Sequence, residues 1–252
     1  MVVGCSKDGE NVFLVPLGNP GVSKDVEMII GLQSTGGTAT AKGTFIDAIW
    51  TPDGRSFSLL SPSPVDRVTV YGDSITAGGN SDDPPHDAWP VLLRTTYGRD
   101  ILVEAWGWRS LYDDASTAEK ITNFVAHLLL SNPSRIYIAI GTNDFGLDKW
   151  SADDFGNALA ALLDEIHSQD DSVSVDVQCP TYRTDEDEQN GFGDDLDDYR
   201  SAESSACSGR DWANYFDAST VLEAADLADG LHPTIAGHVK YALAVDTYLD
   251  SQ

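Results

Sequence analysis

Two short strings carry residue types that can do chemistry together. Gly72-Asp73-Ser74-Ile75-Thr76 follows directly on an apolar run, which puts Ser74 on the turn leaving a strand. A serine hydroxyl there can face a substrate while its own N–H points into the same space. Asp and Ser are also ordinary turn and cap residues, so this string alone is a weak signal. Asp229-Gly230-Leu231-His232-Pro233 lies just ahead of a helical stretch. An Asp three residues before a His can fold back to take the imidazole Nδ1–H, leaving Nε2 free to accept a proton from a serine. A lone His before a helix is more often a cap or a packed residue. Asp229 at this spacing, with Gly230 to allow the turn, gives the catalytic reading the greater weight.

Further candidates fall at strand ends. Gly141-Thr142-Asn143-Asp144 closes a third apolar run. An Asn amide in that position can aim a donor at a developing oxyanion; it can equally close a turn. Gly107, between Trp106 and Trp108, lacks a Cβ and so permits close approach of its N–H to a ligand; a plain turn glycine is the alternative. Asp73 beside the nucleophile, Trp106 and Trp108 beside the glycine, and Tyr182 and Arg183 after a fourth strand are candidates to border a substrate. Core packing accounts for the tryptophans equally well. His127 and His167 lie within amphipathic helices and read as surface or packing residues, and His86 and His238 have no catalytic partner in the sequence. Glu186, Glu188, Asn190, Gly191 and Asp197 loosely echo a calcium loop. The end ligands are wrong, and a solvated acidic loop over 185–198 is the expectation.

These strings need elements to position them. Residues 67–71, 101–105, 135–140, 172–178 and 212–216 read as strands. Residues 88–96 are expected to be helical. A helix capped by Ser116 and Glu119 should bury Ile121, Phe124, Val125, Leu128 and Leu129. Another starts near Ser151 and aligns Phe155, Leu159, Leu162, Leu163 and Ile166. A last helix over 234–248 is expected to turn Ile235, Val239 and Leu243 inward. Strand and helix in alternation mean crossover connections and a parallel sheet covered on both faces, with ligands beyond the carboxyl ends of the strands. Residues 1–64 differ: β-branched and aromatic runs at 26–30, 44–50 and 56–60, turn residues between them, and Ser61-Pro62-Ser63-Pro64 as a break. The expected organisation is a β-rich segment over 1–64, accessory and able to mediate oligomerisation, then one domain over 65–252.

In their order, Gly72-Asp73-Ser74, Gly107, Gly141-Thr142-Asn143-Asp144 and Asp229-x-x-His232 resemble the blocks of the SGNH/GDSL hydrolases. The G-x-S-x-G string of the α/β-hydrolases is absent. The resemblance covers about residues 65–252. It implies a three-layer α/β/α fold with about five parallel strands and an esterase working through an acyl-enzyme. Ser74 would be the nucleophile, His232 the base and Asp229 its partner, with the N–H groups of Ser74 and Gly107 and the Asn143 amide holding the oxyanion. No metal or organic cofactor is implied. Small acyl esters, including O-acetylated polysaccharide, are the expected substrates. A lipid-directed esterase or thioesterase, and a structural or glycan-binding component carrying an accessory esterase, are the rivals.

The 252 residues carry 41 acidic against 15 basic side chains, a formal charge of −26. Such a surface repels phosphate backbones and anionic lipid, which argues against nucleic-acid and membrane partners, and it suits a salt-rich medium. The first residues have neither the basic start nor the apolar core of a signal peptide; an extracellular or surface-associated enzyme is the expectation nonetheless. Cys5, Cys179 and Cys207 have no metal spacing. Cys179 and Cys207 either pair or stay as small buried hydrophobes.

Overall fold

The computed structural model describes residues 66–81 and 84–252, without the side chains of 84 and 85. The β-rich segment over 1–64, the boundary that ends it and Cys5 lie outside the described residues. Within them, five strands form one parallel sheet: β1 (Val68–Gly72), β2 (Ile101–Ala105), β3 (Arg135–Ala139), β4 (Ser174–Gln178) and β5 (Ala213–Phe216), ordered β2-β1-β3-β4-β5. Helices α1 (Pro84–Asp87) and α2 (Trp89–Tyr97) lead from β1 to β2. Next come α3 (Leu111–Ala115) and α4 (Ala118–Leu129) before β3, then α5 (Thr142–Gly146) and α6 (Ala152–Gln169) before β4. Helix α7 (Leu196–Cys207) precedes β5, and α8 (Ile235–Asp250) follows it. The architecture is the α/β/α sandwich expected from the alternation.

Side-chain alternation builds the two faces of the sheet. Ile136 and Ile138 of β3 join Val175 and Val177 of β4 in a core covered by α3, α4, α6 and α7. Tyr137 and Ala139 point the other way, with Val68 and Val70 of β1, into a second core under α2 and α8. There Trp89 stacks on Tyr241 at 4.9 Å. The chain leaves β1 for the edge strand β2, then returns to β3 on the opposite side of β1. Loops therefore splay apart at the carboxyl ends of β1 and β3, the switch point where open α/β sheets hold ligands. Gly72 and Ala139 are register partners at that end, so Ser74 and Asn143 emerge side by side.

Several expectations need correction. On α8 the stripe Ile235, Val239 and Leu243 faces solvent, at 43%, 50% and 54% exposure. The inner face is Tyr241, Ala242, Val245 and Leu249. Ala242 lets the helix approach, and Tyr241 meets Trp89, a pairing that aliphatic periodicity alone does not reveal. Helix α4 is capped by Thr117, whose side chain accepts from the Lys120 N–H; Ser116 instead ends α3, a short helix the sequence did not announce. The acidic stretch at 185–198 is not all loop. Asp195 and Asp198 form a capping box that starts α7, and Leu196 and Tyr199 are buried beneath it. Glu186 and Asp197 both pair with Arg200. Cys179 and Cys207 are buried and free: the Cys179 sulfur accepts the Ala218 N–H, while the Cys207 thiol donates to the Asn214 carbonyl.

Candidate active site

Ser74, Asp229 and His232 come together from the two ends of the domain. The Ser74 hydroxyl lies 2.8 Å from His232 Nε2. His232 Nδ1 lies 2.9 Å from Asp229 Oδ2. The loop that carries the pair is closed at its base by Ala228 N–H donating to the His232 carbonyl and Thr234 N–H donating to the Asp226 carbonyl. Gly230 sits at φ +87°, and a Cβ there would come within 2.5 Å of Thr184 Oγ1, so glycine is required on both counts. Asp229 Oδ1 accepts the backbone N–H of His232 and of Leu231. Burial raises the Asp229 carboxyl, but the His232 backbone N–H, the imidazole and the Leu231 N–H outweigh it and hold it down at about 2. It is an anion across the neutral range, as the partner of an imidazole must be.

Asn143 is 5% exposed, and its amide donates to the Arg109 carbonyl at 2.8 Å. Asp144 beside it accepts the N–H groups of Leu111 and Tyr112, the first turn of α3. Together these two side chains tie the end of β3 to the segment that follows β2. The peptide brought to Asn143 is thus that of Arg109. Gly107 is exposed, with nothing within 4 Å of where its Cβ would stand, leaving space that a ligand can enter.

The candidate substrate-binding residues divide. Asp73 is buried and accepts the Ile75 N–H, so its carboxyl is committed to the turn that carries Ser74. Burial pushes its carboxyl up to about 6. Arg183 is also committed: its guanidinium donates to both oxygens of Asp185 and to the Thr142 carbonyl, and it stacks on Phe145. It clamps α5, next to Asn143. Trp106 lies with the Arg109 guanidinium 3.3 Å over its ring. Tyr182 packs, half-buried, on the core beneath α2 and α8. Trp108 alone of the set projects freely, 67% exposed, from a left-handed backbone at φ +66°.

Three buried carboxyls line the interior around these turns: Asp73, Asp144 and Glu203. Burial raises Asp144 to about 7 against the two N–H bonds that lower it. Glu203 is raised well above the carboxylate range by burial and by Asp144, and neither of its oxygens has a hydrogen-bond partner among the described residues. Among the described residues, no cluster of three or more His, Cys, Asp or Glu side chains could hold a metal ion.

Sequence reasoning missed Asn80 and Gly79. The Asn80 amide donates to Asp229 Oδ2, and a Cβ on Gly79 would stand 2.7 Å from the His232 ring. Gly78-Gly79-Asn80 reads as a turn, and only that much was visible. Its contact with residues some 150 positions later was not.

Residues 70–240 match the model of the GDSL-like lipase/acylhydrolase family. The chain belongs to this family. Membership places its chemistry among the ester hydrolases. No curated protein matches the chain. Among solved structures, a carbohydrate esterase family 2 enzyme with a carbohydrate-binding domain, from Corynascus thermopiles (Myceliophthora fergusii), superposes with a TM-score of 0.60 at 18% identity. The match covers 80% of this chain and 70% of that one. An acetyl esterase mutant holding an acetate ion gives 0.55 at 18% identity, over 73% and 96% of the two chains. A salicylyl-acyltransferase from a tetracycline biosynthetic pathway gives 0.59 at 19% identity over 75% of this chain, which spans only 55% of that protein. At these identities the likeness is one of fold.

Proposed function

We propose that this GDSL hydrolase is a serine esterase that works through an acyl-enzyme on Ser74 and removes small acyl groups, acetyl above all, from O-acylated polysaccharide. The observation that carries the reading is the continuous relay from the Ser74 hydroxyl through both nitrogens of His232 to an anionic Asp229. In the reaction, Ser74 Oγ attacks the ester carbonyl as His232 Nε2 takes its proton. The tetrahedral oxyanion sits against the Ser74 and Gly107 N–H groups and the second N–H of the Asn143 amide, whose first is held by Arg109. Collapse expels the alcohol, which leaves with the proton from His232. Water then repeats the sequence on the acyl-enzyme and releases the acid.

The substrate class rests on Trp108. A bulky residue held at positive φ costs ~1–3 kcal/mol, and such strain collects at ligand sites. Here it presents an indole to solvent one residue from Arg109, whose carbonyl touches Asn143. An exposed indole is a platform for the apolar face of a sugar ring. The names of two similar structures, an acetyl esterase and a carbohydrate esterase, support the same class. A polymer of this kind is met outside the cell, so the protein would be extracellular or surface-associated.

The test is a fluorophosphonate probe followed by peptide mapping, with Ser74→Ala beside it. The adduct is expected on Ser74. Ser74→Ala should lose ~10³-fold or more in kcat with an unchanged melting temperature. An adduct on another serine, or near-full activity in Ser74→Ala, sinks the mechanism. Trp108→Ala should raise KM for acetylated xylan while p-nitrophenyl acetate turnover stays unchanged. A rate that instead climbs with acyl length would move the substrate from polysaccharide to lipid.

A further inference from the structure

Asp229 is an unusual place to anchor a catalytic histidine, because its side chain is 45% exposed and packing does not hold it. Four N–H groups hold it instead. Oδ1 takes the backbone N–H groups of Leu231 and His232, and Oδ2 takes His232 Nδ1–H and the Asn80 side-chain amide. Three of the four come from residues 229–232 themselves and fix Asp229 only relative to its own loop. The fourth comes from 149 residues away, on the loop that carries the nucleophile. Asn80 reaches it from a left-handed backbone, φ +61°, after Gly78 at φ +81°. The Gly79 N–H donates to the Ser74 carbonyl at 2.7 Å, so Asn80 is itself tied to Ser74. The contacts thus form a closed ring: Ser74 hydroxyl, His232 imidazole, Asp229 carboxylate, Asn80 amide, and back through Gly79 to the Ser74 backbone.

We propose that Asn80 is a positioning residue of this esterase, closing the ring that registers the Asp229–His232 pair against Ser74. The inference rests on the relay described above and deepens it. Without Asn80, Asp229 and His232 keep their mutual bonds, but the Ser74–His232 bond, which must break and re-form in each turnover, is then the one direct hydrogen bond between the two loops among the described residues. The amide has a second effect. Its nitrogen stands 3.5 Å from His232 Nδ1, so its N–H dipole opposes the imidazolium. Among the described residues, the other ionisable groups facing His232 are Asp229 in its own loop, Asp73 next to Ser74, and His238 on α8, which burial lowers to about 4 and so keeps neutral.

The test compares the whole chain with Asn80→Ala and Asn80→Asp, reading kcat, KM, the acid limb of kcat/KM against pH, melting temperature and fluorophosphonate labelling. Asn80→Ala is expected to fold, to label on Ser74 more slowly, and to lose about tenfold in kcat with KM unchanged, short of the ~10²-fold that a 1 Å misplacement can cost. Its acid limb should move to higher pH, since the dipole that opposed the imidazolium is gone. Asn80→Asp should move the limb further up, because a second carboxylate then faces the ring. Wild-type kcat and an unmoved acid limb in Asn80→Ala overturn the proposal. A loss of activity matched by a lower melting temperature, with no movement of the limb in either variant, also overturns it, because a structural role then suffices. If the wild type does not label at Ser74, the mechanism itself has failed, and that result is separate from either Asn80 outcome.

Discussion

The side-chain amide of Asn143 commits one N–H to the Arg109 carbonyl, 2.8 Å away, and that bond aims the other. Donors fixed in advance cost no reorganisation when charge develops, which is why one of them is worth ~3 kcal/mol of barrier. Asn143→Ala is therefore expected to lower kcat by ~10²-fold with a smaller effect on KM. Because Asp144 still ties the end of β3 to α3 through two N–H bonds, the melting temperature should fall little. A higher KM with kcat intact would make Asn143 a ground-state binding residue and remove it from the oxyanion site. At this scale the sequence was legible wherever chemistry and spacing were local. Asp229 and His232 are three residues apart, and one turn joins them. It was silent on Asn80, whose partner lies 149 positions away, and it placed Arg183 at the border of the pocket. Arg183 follows a strand, as a rim residue would, yet Asp185 and the Thr142 carbonyl claim its guanidinium.

Among the elements, strands and long helices were readable because burial on a sheet face imposes a strict pattern. Ser151 caps α6 as its composition suggests, and all five of its aliphatic and aromatic stripe residues are buried. Short helices α3 and α5 have too few turns to show a period. Helix α7 hid behind its own acidic cap, since Asp195, Asp197 and Asp198 at a helix start look like solvated loop. On its inner side α7 carries Glu203, fully buried and, among the described residues, without a partner for either oxygen, near the Gly141 turn. Its folded carboxyl titrates higher than its unfolded one. The stability that difference brings is complete below the unfolded value, near 4.3 as a rough reference. It is lost as pH rises toward the folded value, because only the unfolded chain then releases the proton. Asp144, raised to about 7, and Asp73, raised to about 6, act with the same sign, and the three carboxyls together outweigh His238, whose lowered value of about 4 adds stability as pH rises through the unfolded histidine range. The melting temperature of the wild type is thus expected to fall from pH 5 to pH 8. Glu203→Gln, which cannot ionise, should flatten that fall and melt higher than the wild type by a margin that grows with pH. Parallel curves for the two proteins would mean that Glu203 ionises in the fold and has a partner there.

For the molecule as a whole, the decisive quantity is the excess of 41 acidic over 15 basic side chains. Eight of the described bases are already engaged: Arg67, Arg99, Arg109, Arg135, Arg183, Arg200 and Arg210 each hold a carboxylate, and Lys240 holds Asp226. The acidic side chains left over far outnumber the bases left over. Added salt acts on both sets. It weakens exposed ion pairs, worth only ~0–1 kcal/mol each, and it screens repulsion that sums over every unpaired carboxylate. The second effect is the larger when acids outnumber bases this far. The Debye length shortens from ~10 Å at 0.1 M to ~3 Å at 1 M, so the melting temperature should rise across that interval. The rate on a neutral ester should hold steady, since Ser74 meets no charged substrate and the Asp229–His232 pair is in direct contact at 2.9 Å, well inside either screening length. Melting curves and initial rates at each NaCl concentration read both effects. A melting temperature that is flat or falls with salt would show the carboxylates to be spaced widely enough to ignore one another, and the inference of a saline setting would go with it. A rate that collapses while the melting temperature climbs would instead locate a charge on the substrate, because screening would then be acting on its approach to the site.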